Sequence, residues 1–150
     1  MISRWLSGGA STEDSVREWI RSNEENWSND GPRFAFAIET IDFELAGMIE
    51  VNVDYAHFAG LAAGDANISF GVYPRFRRMG FASSAVRLAE DFMRSRGVQR
   101  AIIRVEADNT ASINLAQHLQ YERVGMVING AGTEFIMFVK RLVPGLDTSL

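Results

Sequence analysis

Residues 71–84 combine glycine, arginine and small side chains in an order suited to binding phosphate. A strand-like segment ends near Pro74, and a basic stretch then leads through Gly80 into a sequence with helical periodicity. The first turn of a helix leaves backbone N–H groups without partners and carries partial positive charge, which attracts anions. Arg77 and Arg78 add planar donors for phosphate oxygens, and Gly80 permits close backbone approach. The segment therefore predicts a pyrophosphate site.

The same basic segment is also compatible with an ordinary solvated connection between a strand and a helix. It lacks the Lys-Ser/Thr pair of a P-loop and the glycine triplet of a dinucleotide-binding turn. Taken alone, the segment leaves both interpretations open.

The composition excludes several classes of site. The 150 residues include no cysteine, which excludes a disulfide framework, a thiolate metal site and a cysteine nucleophile. The two histidines, His57 and His118, lie far apart in the sequence, so we expect no metal site. A net charge of −4 disfavours nucleic acid as a partner and mildly favours cationic substrates. No apolar run approaches the ~20 residues of a membrane span, so we expect a cytoplasmic protein that does not contact membranes.

Hydrophobic periodicity predicts the elements that must position the basic segment. They are a helix over 11–26, strands over 34–40, 45–53 and 66–72, a helix over 80–96, a strand over 100–105, a helix over 108–119, and strands over 121–128 and 133–142. The first helix should bury a stripe of Val16, Trp19 and Ile20. The loop over 55–65 is rich in glycine and alanine, as is typical of segments that border substrates, and we interpret His57 as a surface residue within it.

The long helix connects two strands that should be parallel. Its apolar face is predicted on Ala85, Leu88, Ala89, Phe92 and Met93. Its polar residues, expected to point elsewhere, are Arg87, Glu90, Asp91 and Arg94. The strand–helix–strand unit over 66–105 should be a right-handed crossover, with local splaying of the two strands an open possibility. We expect one domain over residues 1–150, with its core at about 12–142 and a frayed tail at 143–150.

Two blocks of sequence resemble the GNAT acetyltransferase superfamily. Residues 77–82, Arg-Arg-Met-Gly-Phe-Ala, resemble its Arg/Gln-x-x-Gly-x-Gly/Ala signature. Residues 109–112, Asn-Thr-Ala-Ser, together with residues 115–125, resemble the Asn-x-x-Ser…Glu-Lys-x-Gly-Phe…Gly block of the branch that includes ribosomal-protein N-terminal acetyltransferases. The order and spacing of the blocks agree over about residues 12–142. The resemblance implies an α/β (α+β) fold with flanking helices and a mixed, mostly antiparallel sheet, in which a central parallel strand pair splays apart.

The resemblance also implies acetyl-CoA as the cofactor. Its pyrophosphate would rest on the loop over 77–83, and its pantetheine arm would run along residues 70–72 as an added strand does. Asn109 and Ser112 match positions that contact the cofactor. The expected cofactor-binding residues are Phe70, Gly71, Val72, Arg77, Arg78, Met79, Gly80, Phe81, Ala82, Ser83, Asn109 and Ser112.

The implied chemistry is direct acetyl transfer to a primary amine, with a backbone N–H near Val72 stabilising the oxyanion. Many family members place a tyrosine acid where this chain has Ala116, so that acid is missing. In the ribosomal branch a serine at the position of Ser112 takes this role, although Ser112 could equally cap or bond the helix backbone. Three carboxylates are candidate general bases, each with an alternative interpretation as a solvated strand residue: Glu50, Glu134 and Glu106.

The chain departs from the family pattern in two further places. Gln120 replaces a glycine, so the short helix must end in a left-handed residue at a cost of roughly 1 kcal/mol. No apolar strand precedes the first helix, where the family normally has one. An uncovered sheet edge would favour a homodimer.

Three functions remain open at this point. The leading one is an N-acetyltransferase acting on the α-amine of a peptide or protein N-terminus. The second is the same chemistry on a small amine, such as an antibiotic, a polyamine or an amino-acid derivative. The third is a non-catalytic acyl-CoA-binding module, which the missing tyrosine acid and missing first strand favour.

Overall fold

A computed structural model describes residues 13–142 of the chain. Every predicted helix and strand is present there, with ends within two residues of the expected ones. The expected absence of a first strand and the frayed tail fall on residues outside this range. The elements are α1 (Glu13–Ser28), β1 (Arg33–Glu39), β2 (Leu45–Asn52), β3 (Asp65–Val72), α2 (Phe81–Ser95), β4 (Arg100–Glu106), α3 (Thr110–His118), β5 (Glu122–Ile128) and β6 (Glu134–Arg141).

The strands form one six-stranded sheet with the order β1-β2-β3-β4-β6-β5. All neighbours are antiparallel except β3 and β4, which α2 connects as a parallel pair. Pairing of β3 with β4 begins at Asp65 and Arg100 and ends at Ile68 and Ile103. Both strands continue beyond that point without pairing to each other. The prediction of a mixed, mostly antiparallel sheet with a splayed central pair is therefore confirmed.

The two faces of the sheet are covered differently because successive strand residues point to opposite sides. On the helical face, strand residues such as Ile68 and Phe138 pack with Val86 and Met93 of α2 and with neighbouring apolar side chains. On the opposite face, which we call the loop face, Ile102, Met137 and Val139 form a smaller cluster, against which Leu61 packs from the loop after β2.

Gly60 allows that loop to approach the loop face closely. It has φ +89°, and a Cβ there would lie 2.7 Å from Cγ1 of Val127. A larger residue would therefore combine a backbone conformation unfavourable for L-amino acids with a steric overlap. The close approach brings the loop over 55–64 across the end of the sheet that carries β4, β5 and β6.

The predicted buried stripe of α1 is wrong. Val16 is 43% exposed and Ile20 is 47% exposed, and α1 contains no buried residue. The helix is attached mainly by its last turn, where Trp27 packs edge-on against Phe34 with ring centroids 5.0 Å apart. Within residues 13–142, few side chains pack against the first half of α1, although its periodicity is that of an amphipathic helix.

The last turn of α1 also covers part of the outer edge of β1. The Arg33 N–H donates to Oδ1 of Asn26 at 3.0 Å, and Nε1 of Trp27 donates to the Ala35 carbonyl at 3.2 Å. These bonds satisfy edge groups that would otherwise be free to pair with another strand. The sheet edge that was expected to be uncovered is therefore partly covered by α1 of the same chain.

Two residues of α2 lie opposite to their predicted sides. Leu88 is 69% exposed, whereas Glu90 is only 2% exposed. Glu90 can be buried because Oε2 accepts from the Tyr121 hydroxyl at 2.7 Å and Oε1 accepts from Nζ of Lys140 at 3.1 Å. Burial, followed by the hydrogen bond to Glu90, raises the pKa of Tyr121 well above its usual value. This group joins α2 to the sheet through polar contacts that helical periodicity does not predict.

Helix α3 ends as the sequence predicts. Gln120 has φ +69°, the left-handed conformation in which glycine is usual. The following Tyr121 N–H donates to the Ala116 carbonyl at 2.9 Å, which closes the turn. Gln120 thus has the backbone conformation for which the strain of roughly 1 kcal/mol is expected.

Candidate functional site

Strands β3 and β4 leave backbone groups unpaired where they separate. In a strand that pairs with an antiparallel neighbour, every second residue directs its backbone N–H and C=O groups to that neighbouring strand. Tyr73 donates its N–H to the Ala46 carbonyl on the β2 side at 2.8 Å, so Phe70 and Val72 direct their backbone groups towards β4. No residue of β4 pairs with them, although Nε of Arg77 donates to the Val72 carbonyl at 3.2 Å. The remaining groups of Phe70 and Val72 offer a ligand the hydrogen bonds of an added strand.

The loop between β3 and α2 presents open amides at the start of the helix. Gly80 precedes α2 with φ +83°, and it has no side chain to cap the helix. The first helical hydrogen bond runs from the Ser84 N–H to the Gly80 carbonyl at 3.0 Å. The amides of Phe81, Ala82 and Ser83 come before it, and no acceptor within residues 13–142 bonds them. They form an anion-binding helix start of the kind expected from the sequence.

A cavity of about 780 Å³ joins this loop to the start of α3. Its volume is within the range typical of ligand sites. All the expected cofactor-binding residues line it except Met79, whose side chain is exposed. Sequence reasoning missed further lining residues on α3, including Asn114 and His118. Their helical spacing from Ala111, at three and seven residues, is the signal that identifies this face of the helix.

A second cavity, of about 50 Å³, lies where β3 and β4 diverge. It shares Phe70, Asn109 and Ser112 with the larger cavity. Asn109 caps α3, because its Oδ1 accepts from the Ser112 N–H at 3.2 Å. The Ser112 side chain is not the N-cap of the helix, and Ser112 lines both cavities.

The three candidate carboxylates lie in different surroundings. Glu50 of β2 is half-buried and lies directly across from Ser69, which lines the smaller cavity. Burial raises the pKa of Glu50, and the charge of Arg33 opposes that shift only partly. Glu106 lines the smaller cavity itself. Glu134 is exposed at the start of β6 and lines neither cavity.

Sequence reasoning also missed Arg104, which lines the smaller cavity. Its guanidinium lies 4.8 Å from the ring centroid of Phe58 and 4.9 Å from that of Phe135. The buried atoms Nε and Nη1 have no hydrogen-bond partner, and burial lowers the pKa of Arg104. The available signal was an arginine inside the strand, flanked by Ile103 and Val105, a position that structural packing alone does not favour.

No group of three or more histidine, aspartate or glutamate side chains within residues 13–142 could hold a metal ion. None of the helices in this range is long and apolar enough to cross a membrane.

Comparison with known proteins identifies both a family and a fold. Residues 2–121 match the model of the acetyltransferase (GNAT) family. No curated protein matches the chain significantly. A spermidine N-acetyltransferase from Vibrio cholerae, in complex with CoA and spermine, has a TM-score of 0.74 and 17% identity, covering 94% of this chain and 82% of that chain. A putative ribosomal-protein-serine acetyltransferase from the same organism has a TM-score of 0.73 and 18% identity, covering 91% and 80%.

A dodecameric spermidine N-acetyltransferase from Vibrio cholerae has a TM-score of 0.69 and 18% identity, covering 97% of this chain and 84% of that chain. At such low identity these structures share the fold, and they do not select the ribosomal branch over the spermidine enzymes. The family match spans most of the chain and includes both the basic loop and the start of α3. The chain therefore belongs to the GNAT acetyltransferase family and is an acyltransferase that uses acetyl-CoA.

Proposed function

We propose that the chain transfers the acetyl group of acetyl-CoA directly to the primary amine of a small molecule. One observation carries the proposal: the open amides of α2 and the gap between β3 and β4 belong to two cavities that share Phe70, Asn109 and Ser112. A ligand with a diphosphate at one end and a reactive group at the other matches this arrangement. Acetyl-CoA would supply the activated thioester.

Residues at the larger cavity would hold the donor. The amides of Phe81, Ala82 and Ser83 would bind the pyrophosphate, and Arg77 and Arg78 would add positive charge. Residues 70–72 of β3 would bind the pantetheine arm through their free backbone groups. Met79 does not line the cavity, so its contact with the cofactor stays a prediction.

Two side chains would move protons. Glu50 would accept the proton that the amine loses as the carbon–nitrogen bond forms, directly or through one water. Its raised pKa brings the carboxylate closer to the working pH, which suits a general base. The Ser112 hydroxyl would donate a proton to the sulfur as the carbon–sulfur bond breaks. The N–H of Val72 lies on the free side of β3, where it could stabilise the developing oxyanion.

The nature of the amine is the finer part of the proposal. The structural relatives include several spermidine N-acetyltransferases, which supports a small acceptor over a protein N-terminus. A protein N-terminal amine is the second candidate, supported by the structural likeness to a putative ribosomal-protein-serine acetyltransferase and by the sequence block at 109–125. A homodimer also stays a prediction, which light scattering can measure.

Release of free thiol from acetyl-CoA tests the function. We expect turnover with small primary amines to exceed turnover with peptides that carry a free N-terminus. Tight binding of CoA without turnover on any amine would instead support the non-catalytic module. Glu50→Gln should abolish most turnover, whereas Glu122→Gln, an exposed glutamate on β5, should retain it.

A further inference from the structure

We propose that the acceptor of this enzyme carries a carboxylate close to its amine, as a free amino acid does, and that Arg104 binds this carboxylate. The inference rests on the proposed function and specifies its substrate. It arises from the position of Arg104 at the gap between β3 and β4, where its guanidinium has buried donors without partners.

The strand register places Arg104 on the loop face of the sheet. It follows Ile103, the last residue of β4 that pairs with β3, and it lies two residues after Ile102, which pairs with Asn67. Ser69 lies two residues after Asn67 on β3, so Ser69 and Arg104 face the same side of the sheet across the opening. Helices α2 and α3 pack on the other face, where the larger cavity also opens. An acceptor that enters from the loop face would therefore meet Arg104 at the gap.

The surroundings of the guanidinium give two of its nitrogen donors no hydrogen-bond partner. Phe58 and Phe135 contact it through their rings, and aromatic rings accept no conventional hydrogen bond from its Nε or Nη1. No aspartate or glutamate of residues 13–142 forms an ion pair with Arg104. A buried charge is normally paired, since an unpaired one is costly. The planar fork of an arginine matches a carboxylate in particular.

A negatively charged side chain lies on the neighbouring strand. Glu50 pairs with Ser69 in the antiparallel ladder, so both lie on the loop face, as does Arg104 beyond the gap. Nδ2 of Asn67 donates to Oγ of Ser69 at 3.1 Å. An amino acid presents an amine and a carboxylate, matching a base on one side of the gap and a guanidinium on the other. A polyamine would bring positive charge towards an unpaired guanidinium, which is unfavourable.

The unaltered protein provides the first test. Thiol release would be compared for three free amino acids (alanine, methionine and phenylalanine), for their carboxamides, and for spermidine. A charge-assisted contact to the carboxylate predicts that kcat/KM for the amino acids exceeds that for the amides by about 10- to 100-fold. Equal or faster turnover of the amides or of spermidine would overturn the proposal.

The variant Arg104→Met keeps an unbranched stem and removes the guanidinium with its charge and donors. We expect kcat/KM for the amino acids to fall about 10- to 100-fold, mainly through KM, and that for the amides to change less than about threefold. Affinity for CoA should be unchanged, and Arg123→Met, on the exposed part of β5, is the matched control. An equal loss on amino acids and amides would show that Arg104 has only a structural role.

The outcomes separate this inference from the function on which it rests. Turnover only of amines that lack a carboxylate rejects the assignment of Arg104 and leaves the acetyltransferase intact. No turnover on any amine rejects the proposed function together with the inference. If Arg104→Met does not fold, the comparison of amino acids with their carboxamides on the unaltered protein still tests whether the acceptor carries a carboxylate.

Discussion

Replacing Gly80 by tryptophan should block CoA binding without unfolding the protein. Gly80 has φ +83°, and no atom lies within 4 Å of an added Cβ, so the folded state has room for the new side chain. The backbone strain of a left-handed L-residue costs roughly 1–2 kcal/mol. For a domain of this size that corresponds to a fall in melting temperature of about 2–8 °C.

Gly97 offers a matched control at the other end of α2. It has φ +76° and also no atom within 4 Å of an added Cβ, so Gly97→Trp should lose a similar amount of stability. A helix of this length separates the two positions by about 22 Å. Gly97 does not line the cavity, and its variant should therefore bind CoA normally.

The loss of affinity at Gly80 follows from the open amides. An indole ring at this position would compete for the space in front of the Phe81, Ala82 and Ser83 N–H groups. Hydrogen bonds to a charged group contribute about 1.5–3 kcal/mol each. Loss of two such bonds would weaken CoA binding by at least about 100-fold.

Isothermal titration calorimetry with CoA measures the affinity of both variants, and thermal unfolding measures their stability. Normal CoA affinity in Gly80→Trp would refute the placement of the pyrophosphate. An equal loss of affinity in Gly97→Trp would also refute the reasoning, because strain in α2 would then explain the effect without any contact at the loop.

Three further variants test other parts of the structure. Glu50→Gln should slow turnover about 100-fold and remove the rise in rate as pH increases through the raised pKa of Glu50. The raised pKa of Glu50 means that folding favours its protonated carboxyl, so the stability of the protein falls as pH rises through that pKa. Glu50→Gln should therefore melt at a higher temperature than the parent near neutral pH. An unchanged pH–rate profile in Glu50→Gln would exclude Glu50 as the base. Ser112→Ala should reduce kcat with little effect on CoA affinity, and a parental rate would remove the acid assignment. Lys140→Met leaves Glu90 buried without its cation and should cost about 3–5 kcal/mol in urea unfolding, whereas a loss below about 1 kcal/mol would show that Glu90 needs no cation.

The sequence by itself determined the order of the elements and the position of the basic loop before α2. Both depend on local information, namely hydrophobic periodicity, turn residues and the spacing of Gly80 from the arginines before it. The left-handed conformation of Gln120 was expected from the family resemblance, because the family has a glycine at this helix end. The divergence of β3 and β4 was implied by the family resemblance, since local patterns leave it open.

Only the tertiary structure decided which side chains the elements bury and which they bring to the gap. Val16 and Ile20 have the spacing of a buried stripe, yet the described chain leaves them exposed. Glu90 is polar, yet it is buried because Tyr121 and Lys140 reach it from elements distant in sequence. Arg104 lies between two apolar residues of β4, and only folding brings the rings of Phe58 and Phe135 to its guanidinium. These features depend on partners that no local pattern specifies.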